Sequence, residues 1–363
     1  MLVYLHIPFC HRICPYCSFY KHTPGSTNIG EFIQALNTEA SLRLPLQPQP
    51  TTLYLGGGTP SFLSSTHLTA LFTHLHSLID FSQLREVTLE ANPATFDLKK
   101  ARLFRSLGVT RVSLGIQSFI PHVLDALGRE HTPAEASASI QTLRAAGIAS
   151  VSIDLMFSIP GQSLPDWEST ILHTISLNPD HISAYNLTYE EDTAFFESLQ
   201  NGTYQENEDH DADHYHLADK LLTAAGYDHY ETSNYARPGH QSLHNQGYWS
   251  GSDYLGLGPS AVSTLKGVRE KNLSDTSAYI RQVSSIGRAT FETEILSPES
   301  RRIELIAMGL RTTHGIPLAF LNRESLQRAK GLASENLLTI GPTHLHLTHL
   351  GRPLVDPIAA ELI

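Results

Sequence analysis

Apolar and β-branched residues gather in the first half of the chain into six short runs: VYLHI (3–7), TLYLGGG (52–58), EVTLEANP (86–93), RVSLGIQS (111–118), SVSIDLMFSIP (150–160) and HISAYNLTY (181–189). Each has strand length and is bounded by turn formers. Between the runs, apolar positions recur at three- and four-residue spacing. Leu68, Leu71, Phe72, Leu75, Leu78 and Ile79 form one stripe, and Phe32, Ile33, Leu36 and Ala40 another. Both predict helices with one face buried. Strands alternating with helices predict parallel pairing through right-handed crossovers, and six units suit either a doubly wound sheet or an incomplete barrel. In both architectures function belongs at the carboxyl ends of the strands. The cysteines, the glycine triplet, the EANP turn, Gln117 and Asp154 all fall at or just past those ends.

PLQPQP (45–50) reads as a stiff connector, and the repeat stops after Tyr189. NGTYQENEDHDADH (201–214) is acidic and polar, a solvated loop or helix start, and a helix is expected over 216–225 before glycine-rich turns such as YLGLGPS. ESRRIELIAMGLRTT predicts an amphipathic helix, and the alternation in THLHLTHLGRPLVDPIAAEL (343–362) predicts a small helix-and-wing unit. There His344 and His346 read as the wet face of a strand. The expected division is a core over 1–200, an extension over 201–290 and a terminal domain over 291–363.

Composition narrows the function classes. The chain has 363 residues, 41% hydrophobic and 17% charged, with a net charge of −11, the wrong sign for a nucleic-acid binder. No apolar run approaches the ~20 residues of a membrane helix. The opening MLVYLHIPFC lacks a basic region and a small-residue cleavage site, so a cytoplasmic location with reduced thiols is expected. Only three cysteines occur, Cys10, Cys14 and Cys17, in a Cys-x3-Cys-x2-Cys pattern. Zinc would require a fourth ligand from His6, His11 or His22. A [4Fe–4S] cluster held by three thiolates leaves one iron open to a small molecule. A redox dithiol at CPYC leaves Cys10 unexplained.

YLHIPFCHRICPYC, YLGGGTPSFL, LEANP, LGIQSF, LGREH, SIDLMFSIPGQ and LNPDHISAYNLTYE occur in this order along the chain. This set resembles the radical S-adenosylmethionine superfamily in its HemN/HemW branch, which comprises oxygen-independent coproporphyrinogen III dehydrogenases and the haem chaperones similar to them. The resemblance covers essentially the whole chain. It implies an α/β fold, a partial (β/α)6 barrel with a small C-terminal winged-helix-like domain. It also implies that Cys10, Cys14 and Cys17 hold a [4Fe–4S] cluster whose open iron is chelated by S-adenosylmethionine, the source of a 5′-deoxyadenosyl radical. Tyr4 and Tyr16 are then expected to flank that cofactor, and Gly57, Gly58 and Thr59 to line its methionine end. Glu90 and Gln117 are expected at the ribose, Arg129 at the carboxylate, and Asp154 at the end of the fifth strand. Read singly, Glu90 could cap a turn, Arg129 could be a surface charge and Asp154 could cap the following segment.

Three features separate the two activities of the branch. The dehydrogenases carry a further cysteine two positions after the third ligand, where this chain has Phe19. They also carry a substantial segment before the Tyr-x-His motif, whereas three residues precede Tyr4 here. HNQGYW (244–249) matches the His-Asn-x-x-Tyr-Trp motif of the chaperones, with His244 the expected haem ligand and His240 a rival. The alternative for this motif is a loop in which His and Asn bond the backbone while Tyr and Trp join the core. Ser158 stands where the branch often has glycine. The resemblance therefore implies a haem chaperone, with a coproporphyrinogen III dehydrogenase as the alternative. Its expected partners are haem and acceptor haemoproteins, membrane-bound respiratory enzymes being candidates. A homodimer would suit haem transfer, although no interface is legible in the sequence.

Overall fold

The computed structural model describes all 363 residues. The six apolar runs form parallel strands Leu2–Ile7 (β1), Thr52–Gly57 (β2), Glu86–Ala91 (β3), Arg111–Gln117 (β4), Ser150–Phe157 (β5) and His181–Asn186 (β6). They lie side by side in sequence order. A doubly wound sheet would reverse that order at a switch point, so the open alternative resolves to the partial barrel. The register is regular at the first pair, Leu2 facing Thr52 and Ile7 facing Gly57. Helices cover the outer face because their apolar stripes have nowhere else to go. Leu68, Leu71, Phe72 and Leu75 of the helix Ser65–Leu78 are all buried, and Ser64 caps its start by accepting from the His67 amide.

Residues 201–290 do not fold apart. Asp228–Glu231 (β7) and Asn234–Ala236 (β8) extend the sheet beyond β6. Tyr254–Leu257 (β9), Val262–Leu265 (β10), Val268–Asn272 (β11) and Thr290–Ile295 (β12) extend it beyond β1. One continuous core of 52 buried residues therefore includes Tyr235, Leu255, Leu257 and Tyr279. The acidic stretch begins a helix earlier than expected, at Glu208–Ala224, with Glu208, Asp209 and Asp211 in its first turn. Carboxylates there oppose the positive end of the helix dipole. The helix Leu243–Trp249 forms as well, capped by Ser242.

The terminal unit has its own core of 12 buried residues. Its sheet, ordered Ile316–Pro317 (β13), His344–Leu347 (β15), Leu338–Ile340 (β14), packs with the helices Pro298–Gly309, Arg323–Ser334 and Val355–Leu362. Leu345 and Leu347 are buried, while His344 and His346 lie on the wetter face. Backbone bonds from Thr232 to Arg311 (2.8 Å) and from Thr313 to Tyr230 (3.2 Å) tie this unit to the β7–β8 turn. No helix is long and apolar enough to cross a membrane.

Candidate functional site

Beyond the carboxyl ends of β1–β6, a cavity of about 840 Å³ opens into the barrel. Cys10, Cys14 and Cys17 line it, together with Tyr16, Gly57, Gly58, Thr59, Glu90, Gln117, Arg129 and Asp154. Residues separated by up to 144 positions in the chain meet here because parallel crossovers return every strand end to one face.

Donors are aimed at the sulfurs. Thr59 directs its hydroxyl at Cys10 Sγ (3.5 Å), and Arg129 directs Nη1 at Cys14 Sγ (3.5 Å). Arg129 also donates from Nη2 to Asn92 Oδ1 (2.7 Å) and to the Gly115 carbonyl (2.6 Å). Asn92 in turn donates to Thr59 Oγ1 (3.1 Å). Asn92 therefore bridges the two groups that face the thiols. It lies inside the quoted EANP turn, but only the folded arrangement shows what its amide connects. Burial pushes the Cys10 and Cys17 thiols up, so their thiolates favour a compensating positive centre.

Zinc fits this donor set poorly. The chain supplies three sulfurs, whereas a closed structural zinc site takes four protein ligands. Of the histidines that could serve as a fourth ligand, two have both ring nitrogens engaged: His6 by Tyr4 OH (3.0 Å) and the Tyr20 carbonyl (2.7 Å), His22 by the Thr23 carbonyl (2.7 Å) and Thr276 (2.8 Å). His11 bonds Glu130 (2.9 Å) through Nδ1 alone. Three thiols lining one cavity, with hydrogen-bond donors facing two of them, suit a cluster whose thiolates each take a different iron.

Beside the thiols, β2 ends in a cradle only glycine can form. Gly57 has φ +109°, and a Cβ there would lie 2.6 Å from the His6 ring. A Cβ on Gly58 would lie 2.9 Å from the carbonyl oxygens of Ile7 and Phe9. The freed edge is backbone that a ligand can approach closely. Glu90 is held by the Tyr54 hydroxyl (2.7 Å) and the Gly57 amide (3.1 Å). Desolvation, reinforced by the charge of Asp154, raises its carboxyl to about 7. Asp154 accepts from Ser113 (2.9 Å) and is itself shifted up by burial. Gln117 adopts φ +70° at the end of β4, which turns its amide into the cavity. Ser158 adopts φ +61°, the left-handed conformation that accounts for a glycine preference at this turn.

Because the folded Glu90 pKa lies above its ordinary 4.5, the neutral form is the one that folding favours. Its contribution to stability is complete below about pH 4.5 and lost as pH rises through about 7. In cofactor-free protein, Glu90→Gln should melt above wild type at about pH 8 and alike at about pH 4. The Tyr54 hydroxyl can accept from the new amide. Equal melting shifts at both pH values would refute the assignment.

Two expected site residues are placed elsewhere. Tyr4 lies behind the cavity wall, deeper along β1, with its hydroxyl on His6 and its ring stacked on Tyr54 at 6.0 Å. It supports His6 and does not line the cavity. His244 is 1% exposed. Its Nδ1 meets Thr52 Oγ1 (2.8 Å) and its Nε2 meets Tyr248 OH (3.2 Å), so neither ring nitrogen is free for iron in this conformation. Amides of Leu243 and His244 donate to Glu86 at 2.9 and 3.1 Å, which makes the motif helix a plug at the amino end of the barrel. Of that motif, Asn245 alone reaches the cavity lining. The rival His240 contacts Ser150 at 3.2 Å, away from the thiols.

Comparison with known proteins bears on the same regions. Residues 4–173 match the radical SAM superfamily model, and residues 296–354 match the HemN C-terminal domain. A protein named heme chaperone HemW from Mycobacterium tuberculosis is 34% identical, over 99% of this chain and 94% of its own length. One of the same name from Bacillus subtilis is 33% identical, over 98% of this chain and 97% of its own. In fold, the chain is similar to the coproporphyrinogen III oxidase HemN of Escherichia coli, a radical SAM enzyme. That match has a TM-score of 0.86 at 23% identity and covers 99% of this chain and 89% of that one.

Proposed function

This chain belongs to the HemW family of the radical S-adenosylmethionine superfamily, and we propose that it binds haem and delivers it to acceptor haemoproteins. The relatives named as heme chaperones match it from end to end. In this reading Cys10, Cys14 and Cys17 hold a [4Fe–4S] cluster, and S-adenosylmethionine lies between the glycine cradle, Glu90, Gln117 and Arg129. Bound there, the pair supplies one-electron chemistry. The protein's own part is to orient and enclose. Arg129 and Thr59 offer N–H and O–H groups to the anionic sulfurs, Glu90 accepts from hydroxyls, and Tyr16, packed on Phe195 at 6.1 Å, closes one side of the cavity.

One observation favours the chaperone over the dehydrogenase. Phe19 stands two positions after Cys17, where the dehydrogenases carry another thiol, and it is 68% exposed. An exposed phenyl ring at the cavity edge can bind an apolar ligand but has no proton or electron to give.

The test uses protein reconstituted with iron and sulfide without oxygen, then supplied with haem or with coproporphyrinogen III. Haem should bind and transfer to an apo-haemoprotein, restoring its activity, while coproporphyrinogen III is returned unchanged. Protoporphyrinogen IX formed in step with 5′-deoxyadenosine would establish the dehydrogenase instead.

A further inference from the structure

If haem is the ligand, as the proposed function holds, a histidine with a free ring nitrogen is the one placed to meet its iron. His244, His6, His22 and His181 each have both ring nitrogens engaged. Three histidines line the cavity: His11, His131 and His181. His131 and His181 are buried, whereas the His11 side chain is 75% exposed at the rim. Its Nδ1 sits 2.9 Å from Glu130 Oε2, and no bond occupies Nε2. A carboxylate that accepts from one ring nitrogen fixes the tautomer, aims the ring and makes the other nitrogen a better metal ligand. The His11–Glu130 pair has that arrangement before any metal arrives.

The surroundings suit a flat apolar macrocycle bearing carboxylates. On the same cysteine loop Ile13 is 48% exposed and Phe19 68% exposed. Exposed apolar side chains give a flat apolar ring a surface to lie against, since both then leave water. Phe19, Arg12 and Lys21 line the cavity edge with His11. Arg12 is more than half exposed, and its nearest carboxylate, on Glu130, is 3.9 Å away, so its guanidinium can still meet a propionate.

We infer that haem docks on the rim of the cysteine loop, with His11 Nε2 as its axial ligand, Glu130 orienting that ring, Ile13 and Phe19 against the porphyrin, and Arg12 toward the propionates. The motif helix that contains His244 is a structural plug and does not supply the ligand. Haem on this rim sits next to the cluster loop, so its occupancy and that of the cluster are read by one stretch of eleven residues, Cys10 to Tyr20.

Ferric haem titrated anaerobically into the cluster-loaded full chain, followed by Soret difference and electron paramagnetic resonance spectra, tests this. Wild type should show an imidazole-ligated haem. His11→Ala should lose that signature at unchanged iron content and weaken binding at least tenfold, and added imidazole should restore the signature. Glu130→Ala should keep the ligand yet weaken binding about 10- to 100-fold. His244→Ala should keep the spectrum and melt earlier, since it strands the Thr52 and Tyr248 hydroxyls. An unchanged spectrum and affinity in His11→Ala, or loss of the imidazole signature in His244→Ala alone, overturns the inference while leaving haem binding intact. A wild-type chain that takes up no haem removes the functional reading, and this inference with it.

Discussion

Cys14→Ala should leave the barrel folded and empty it of iron. Anaerobic reconstitution is expected to load about four irons per wild-type chain and close to none per variant chain. The fold should survive because the cysteine loop contributes little to the core. Cys10, Cys14 and Cys17 are only partly buried, and the 52-residue core contains none of them. The cluster should not survive, because two thiolates leave two irons exposed and Arg129 then faces a methyl group in place of the Cys14 sulfur it now meets at 3.5 Å. Retention of S-adenosylmethionine should fall with the iron, as its chelating site disappears. Iron analysis and the ~400 nm absorption of the cluster read the result directly. Wild-type iron in Cys14→Ala, or tightly held zinc without iron in the native chain, would defeat the site proposed here.

Gly57→Ala should be the most damaging single methyl group added to the cavity wall. Two effects combine. At φ +109° any L residue is strained, by about 1–3 kcal/mol. The new Cβ also meets His6 Cε1 at 2.6 Å and Nδ1 at 2.7 Å. His6 cannot swing aside, because Tyr4 OH and the Tyr20 carbonyl hold both its nitrogens. Forcing extra volume into such a site costs about another 1–3 kcal/mol. The displaced β2 end also carries the amide that donates to Glu90 at 3.1 Å. Thermal unfolding should therefore begin several degrees earlier, and S-adenosylmethionine binding by equilibrium dialysis should weaken more than tenfold. Gly161→Ala separates the two effects. Gly161 also has positive φ, +82°, but nothing lies within 4 Å of its would-be Cβ. That variant should lose some stability and bind S-adenosylmethionine as wild type does. Equal loss of binding in both would mean that backbone strain alone, and not the His6 contact, controls the cradle.

The positions of the barrel strands were legible because their signal is local. Each of the six apolar runs became a strand starting within one residue of its expected place, as a half-turn of alternating or continuous burial can be read from neighbours alone. The cysteine loop was legible for the same reason, since its spacing confines three thiols to one loop whatever the rest of the chain does. The acidic stretch at 201–214 was legible only as a loop or a helix start, because polar residues gain their helix from capping by Asn207 and from burial of Ala218 and Leu222. Residues 201–290 read as an extension because the strand–helix repeat stops after Tyr189. Their strands belong to the main sheet because each adds to an edge, β8 beside β6 and β9 beside β1, that is unpaired until the chain closes.

By itself, then, the sequence determined which residues form strands, which form helices, and which three sulfurs share a loop. All of these follow from periods and spacings within a few residues. Only the tertiary structure decided that the six strands keep their order as a barrel wall, that Tyr4 stands behind His6, that Asn92 joins Arg129 to Thr59, and that His244 faces Thr52 with no nitrogen left over. The physical reason is that a side chain's chemistry depends on its partners and its access to water. For His244 one partner lies 192 positions away. Composition and spacing name the functional group, and the packing around it decides whether that group is free to act.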